Sequence, residues 1–107
     1  MAFELLELAL SLIPLLKRSC AKIAARDQAL ASQLRRAAAS VPLNVSEARR
    51  RIGGDRRHLF RIALGSAAES AAALEVAVGW GYLERDEVAE ALALLDRLQA
   101  MAWRAAR

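Results

Sequence analysis

Eight arginines, Arg35, Arg36, Arg49, Arg50, Arg51, Arg56, Arg57 and Arg61, carry the clearest chemistry in this sequence. A guanidinium offers a planar fork of donors that grips a phosphate at two points, where lysine offers only a point charge. The surrounding charge reinforces them. Twelve of the sixteen basic residues lie between Lys17 and Arg61, against three acids, whereas residues 62–107 hold four bases and seven acids. Such a local excess attracts polyanions, and the whole-chain charge of +4 conceals it. At about 100° per helical residue, Arg35, Arg36, Arg49 and Arg50 fall opposite the apolar seam of their segment, with Arg51 beside them. Arg56, Arg57 and Arg61 extend the cluster into the next segment. Glu47 is the one acid on this part of the pattern, and no aromatic residue is interleaved with the arginines. The expectation is therefore contact with phosphate backbones rather than stacking on single-stranded bases. No helix-turn-helix or zinc-finger spacing points to base readout. The rival reading is a solvated surface whose arginines only keep the protein soluble.

Catalytic templates fail one after another. His58 is the only histidine, so one chain cannot supply a His–His metal pair or repeated Glu-x-x-His ligands. Cys20 is alone and lies on an apolar stripe, which excludes an internal disulfide and suits a small core residue. Gly53-Gly54 lacks the following Gly-Lys-Ser/Thr of a phosphate loop and reads as a turn. Gly65-Ser66 has no strand before it, so it reads as a place where helices approach closely rather than a nucleophile. The chain is expected to be no enzyme and to need no cofactor or metal.

The elements that must position the arginines follow from breaks and periodicity. Polar Arg26-Asp27-Gln28, Gly53-Gly54 and Gly79-Trp80-Gly81 divide the chain into segments of roughly 3–25, 28–52, 56–79 and 85–106. Twenty-five alanines and few β-branched runs favour helix throughout. Apolar residues recur three and four apart: Leu6, Ala9, Ile13, Leu16, Cys20 and Ile23; then Leu34, Ala38, Val41, Val45, Ala48 and Ile52. The third segment gives Phe60, Leu64, Ala67, Ala71, Leu74 and Val78, and the fourth Ala91, Leu95, Leu98 and Ala102. This is the seam of helices packed at shallow angles. The prediction is an all-α, antiparallel up-down-up-down four-helix bundle spanning residues 1–107 as one domain. Asp27 and Asp55 are placed to cap the second and third helices, Glu84, Asp86 and Glu87 to favour the start of the fourth, and Gly79 to end the third in a left-handed turn. Pro14 and Pro42 lie inside their segments and predict kinks.

The third segment bears a second stripe, Leu59, Ile62, Ser66, Ser70, Ala73 and Ala77, which predicts an oligomer interface. Trp80 and Tyr82 are placed to cover one end of the bundle. Trp103 is placed to close the other end or to meet a neighbouring subunit. Met1 to Leu16 is apolar, but Glu4 and Glu7 interrupt it and no basic stretch precedes it. It therefore reads as neither signal peptide nor membrane span, and the expected location is cytoplasmic.

Two runs, Gln33-Leu34-Arg35-Arg36-Ala37-Ala38-Ala39-Ser40-Val41-Pro42-Leu43-Asn44-Val45-Ser46-Glu47-Ala48 and Phe60-Arg61-Ile62-Ala63-Leu64-Gly65-Ser66-Ala67-Ala68-Glu69, resemble the signature of the bacterial four helix bundle protein family. Gly81-Tyr82-Leu83 is also similar. That family includes proteins encoded in intervening sequences of large-subunit rRNA genes and accessory variability proteins of diversity-generating retroelements. The resemblance implies a homopentameric ring with a central channel and a positive surface. In the retroelement branch it also implies engagement of a reverse transcriptase and its RNA template. It supports a bend at Pro42, and it makes Asn44 and Glu47 part of the motif, to brace the bent backbone or pair with arginine. Ala48 replaces a usual glycine and Leu64 a common basic residue. Two functions fit: a nucleic-acid-associated oligomer binding RNA or DNA, or a purely structural, protein-interacting oligomer.

Overall fold

Alanine and leucine at nearly every turn commit this chain to helix, and the computed structural model, which describes residues 2–107, contains four helices and no strand among them. They are α1 (Ala2–Ala24), α2 (Gln28–Ala48), α3 (Gly53–Gly79) and α4 (Arg85–Ala105). The molecule measures 43 × 22 × 19 Å. Each helix packs on its neighbours in sequence, α1 also packs on α4, and the α2–α3 interface is the largest. Both helices bury alanines, Ala31, Ala38 and Ala48 from α2 and Ala63, Ala67 and Ala77 from α3. Their small side chains let the helices approach closely, while Phe60, Leu34, Leu74, Leu95 and Leu98 fill the space between all four.

The ends of the helices follow the expected chemistry in part. Asp27 caps α2, its carboxylate accepting the Leu30 N–H at 3.0 Å. Glu84 and Glu87 form a reciprocal capping box at the start of α4. Asp55 is not a cap. Ile52 holds that position without a side-chain bond, and Asp55 lies in the first turn of α3, where its charge still suits the helix dipole. Gly53, at φ +61°, makes the turn, and helix begins there rather than at residue 56. Helix α2 correspondingly ends at Ala48, which leaves Ile52 87% exposed instead of in the seam. The left-handed residue after α3 is Gly81, at φ +79°, not Gly79. Gly81 N–H donates to the Val78 carbonyl and Tyr82 N–H to that of Ala77, so a turn closed by two hydrogen bonds places the left-handed residue two positions later than expected.

Pro14 does not divide α1, which runs unbroken through it, and Pro42 is buried within α2. The α1 seam is Leu5, Ala9, Leu12, Leu16, Ser19 and Ile23. Ile13 is exposed, and Leu6 and Cys20 are half-buried beside the core. Burial raises the Cys20 thiol above its ordinary pKa, partly offset by the Arg35 charge, and so lowers its share of thiolate. Helix α3 is long and apolar enough to cross a membrane by length and composition, with 39% of its most apolar window buried against the other helices.

Candidate nucleic-acid interface

The arginines do not form one uniform face. Arg35 and Arg36 lie mid-helix on α2, at the rim of a groove between α1 and α2 of about 870 Å³ that Lys17, Ile13 and Cys20 also line. Arg49, Arg50 and Arg51 lie beyond the last turn of α2, about 20 Å away at 1.5 Å per residue. Arg56, Arg57 and Arg61 occupy the first turns of α3. The link between α2 and α3 thus gathers six arginines, and Arg35 and Arg36 form a separate pair.

Local interactions divide the six further. Arg51 is held by Glu47 one turn back, at 2.6 and 3.0 Å. Arg56 is half-buried. Its guanidinium lies 5.2 Å from the Phe60 ring centroid and donates to the carbonyl of Ala48 at 3.4 Å, covering the end of α2. Arg49 lies 5.5 Å above the ring of Phe3, from the first turn of α1. Arg50, Arg57 and Arg61, like Arg35 and Arg36, are exposed and have no hydrogen-bond or ion-pair partner among the described residues. These five present undirected cations to solvent, the state from which phosphate contact loses least.

Residues beside the arginines brace the helix. Asn44 donates to the Ser40 carbonyl at 2.8 Å and to the Ser40 hydroxyl at 2.9 Å, on the turn containing Pro42. Ser66 Oγ donates to Ser40 Oγ at 2.7 Å, and Ser70 Oγ to the Ser66 carbonyl at 2.9 Å. This chain of hydrogen bonds ties α2 to α3. His58 is exposed, and no group of metal-ligating side chains forms among the described residues.

The second stripe of α3 turns out to face largely inward. Ser70, Ala73 and Ala77 are buried in the protomer, and Leu59 and Ser66 are half-buried; Ile62 alone is exposed. The reason is position: α3 touches α2 on one side and α4 on the other, so two stripes serve one protomer. Gly65 is not at a close approach either, since a Cβ there would meet nothing within 4 Å. At the end where α3 finishes, Tyr82 is half-buried, lies under Arg26 at 5.3 Å and donates its hydroxyl to Asp27 at 3.1 Å, while Trp80 is 68% exposed. Burial and the Asp27 carboxylate both push the Tyr82 phenol above its ordinary pKa. Trp103 is 53% exposed, and Arg107 lies 4.8 Å over its ring.

The family model of the 23S rRNA-intervening sequence protein matches residues 4–104, all four helices and both arginine groups. The chain belongs to that family. A crystal structure of a protein with unknown function from the S23 ribosomal protein family, from Bacteroides thetaiotaomicron VPI-5482, is similar with a TM-score of 0.81 at 17% identity. It covers 99% of this chain and 97% of that one. At this identity the likeness speaks for the fold. No curated protein matches the sequence. Sequence reading passed over the partnership of Phe3 with Arg49, yet a signal exists: counting equal lengths from the turn at residue 26 lays residue 3 beside residue 49.

Proposed function

We propose that this 23S rRNA-intervening sequence protein is a non-enzymatic, cytoplasmic, homo-oligomeric protein that binds nucleic acid backbones through its exposed arginines. The observation that carries the reading is the set of five unpartnered, exposed guanidiniums on α2, on α3 and in the link between them, in a region with few acids. Association with a reverse transcriptase or with an rRNA-related process is the setting such a surface would serve. The apolar character of α3 is read as packing within and between protomers, not as membrane contact.

We also infer that successive helices run antiparallel. Phe3 meets Arg49, Ser40 meets Ser66, Glu75 meets Arg85 and Lys22 meets Glu87, so numbers rise along one helix as they fall along the next. A bend of α2 near Pro42 follows from the missing N–H, with Asn44 bracing the turn. A ring, with five copies as the reading that fits the family, would use the outward face of α3, where Ile62, Gly65, Ala72 and Val76 are exposed beside the single charge of Glu69.

The test is a salt titration of binding to duplex DNA and structured RNA. Micromolar or tighter affinity is expected at low salt, with a log–log slope of about −0.9 for each phosphate contacted on the duplex. Arg50→Gln with Arg57→Gln should weaken binding to every sequence alike and leave the melting temperature nearly unchanged. No binding at low salt, or binding indifferent to salt, would overturn the proposal. A second reading, a purely structural or protein-interacting oligomer, draws support from Arg49, Arg51 and Arg56, which are engaged within the protomer. It would then be the better account.

A further inference from the structure

We propose that the end of the bundle where α1 and α3 begin is a site for unpaired nucleotides, with Phe3 and Trp103 as stacking platforms. The proposal rests on the phosphate-binding reading and adds to it a preference for single strands. The two rings occupy opposite ends of the sequence, and the fold brings them to one end of the molecule. Ser11 and Leu15 of α1 share a groove with Ala93 and Arg97 of α4, and Lys22 pairs with Glu87. Each step back along α1 is thus matched by a step forward along α4, and Phe3 comes level with the last turn of α4, which carries Trp103 and Arg104. Arg49, Arg50 and Arg57 lie at the same end, because α2 finishes and α3 starts there.

Three properties converge on this end. The first is exposed aromatic surface: Phe3 is 61% and Trp103 53% exposed, so neither ring contributes much to the core. The second is that each ring already has an arginine over it, Arg49 at 5.5 Å and Arg107 at 4.8 Å. A guanidinium beside an open ring supplies a phosphate contact next to a stacking surface, the pairing by which proteins hold single strands without reading sequence. The third is the field. Arg49, Arg50, Arg51, Arg56, Arg57, Arg104 and Arg107 outnumber Glu4, Glu47 and Asp55 here, while the partial charges of the two helix starts and two helix ends that meet at this end offset one another.

The opposite end of the bundle supplies the contrast. Trp80 there is 68% exposed with no arginine over it, and Tyr82, which lies under Arg26 at 5.3 Å, is half-buried and has its hydroxyl tied to Asp27. Glu84, Asp86 and Glu87 at the start of α4 would repel a phosphate backbone. Aromatic rings meet arginines at both ends, but at this second end the ring involved is half-buried and its hydroxyl is already engaged, while the exposed ring of Trp80 has no cation over it. The lack of an aromatic between the arginines in sequence, which argues against stacking, is made good by tertiary structure.

The experiment compares a short single-stranded RNA with the blunt duplex it forms with its complement, at low salt, by anisotropy of the labelled nucleic acid. Phe3→Ala and Trp103→Ala should each weaken single-strand binding by about fivefold or more, as loss of one stacked base does. Duplex binding should change less than about twofold, since it uses phosphate contacts alone. Trp80→Ala should change neither. In a Trp80→Phe background, Trp103 becomes the one tryptophan, and its fluorescence should be quenched by the single strand but not by the duplex. Salt-dependent binding that ignores Phe3→Ala and Trp103→Ala, or falls equally on both probes, overturns the stacking site and leaves the phosphate reading intact. Absence of binding to either probe overturns both. Unchanged far-UV circular dichroism of each variant, expected for exposed side chains, keeps a folding defect from imitating the result.

Discussion

Glu87 shows how much one surface carboxylate can organise. Its Oε1 accepts the backbone N–H of Glu84 at 2.8 Å, and its other oxygen meets Lys22 of α1. The backbone bond first, and then Lys22, hold its pKa below the usual 4.5. A carboxyl depressed by folding favours the native state once it is ionised in both states, so the contribution is complete above pH 4.5. It disappears as pH falls through the native value, when both states are protonated. Thermal melts should show wild-type protein losing stability across that acid window more steeply than Glu87→Gln, which keeps an acceptor but no charge. Equal slopes would assign the acid sensitivity elsewhere. Asp27 is the simpler case and was legible from its place before a helix: Asp27→Ala should cost about 1 kcal/mol by equilibrium denaturation. The partnership of Arg56 with Phe60 and Ala48 left no local signature, since one arginine among eight looks like the rest until its neighbours are known. Phe60 itself is fully buried, and Phe60→Ala should cost about 3–5 kcal/mol.

At the scale of elements, legibility depended on contrast within each helix. Helix α2 has charged residues on one side, and its seam of Leu34, Ala38, Val41, Val45 and Ala48 is buried as the periodicity requires. Helix α1 is apolar almost all round, with Leu5, Leu6, Leu8, Leu10, Leu12, Ile13, Leu15 and Leu16 pointing in every direction. Spacing there fits more than one seam, and the buried set is shifted by one residue at Leu5 and Leu12. Helix α3 has the same difficulty, because two neighbours take two stripes of small residues. A charge at Ser70, which is completely buried, or at Ala73 should therefore unfold the protomer, not merely separate subunits. Circular dichroism of Ser70→Asp losing most of its helical signal near room temperature is the expected outcome. A folded monomer would place this stripe at an interface after all.

At the scale of the whole molecule, assembly and charge act together. A chain of 107 residues buries a modest core, and in the proposed ring its outward α3 face, with Ile62, Gly65, Ala72 and Val76, would be covered. Light scattering should give a mass near five times the 11.6 kDa protomer, and a monomer at tens of micromolar would remove the ring. Ala72→Glu with Val76→Glu should disperse it while leaving helicity intact, because both side chains are exposed in the protomer. Dispersal also isolates the contribution of the ring to binding. Five copies would present their exposed arginines to one nucleic acid, so that each contact after the first is made at high effective concentration. The dispersed variant keeps every arginine, yet its affinity for a long RNA should fall by about a hundredfold or more. Its affinity for an oligonucleotide that spans one protomer should barely change. If both fall equally, the substitutions have damaged the binding surface itself. If neither falls, each protomer binds alone and the ring serves stability only.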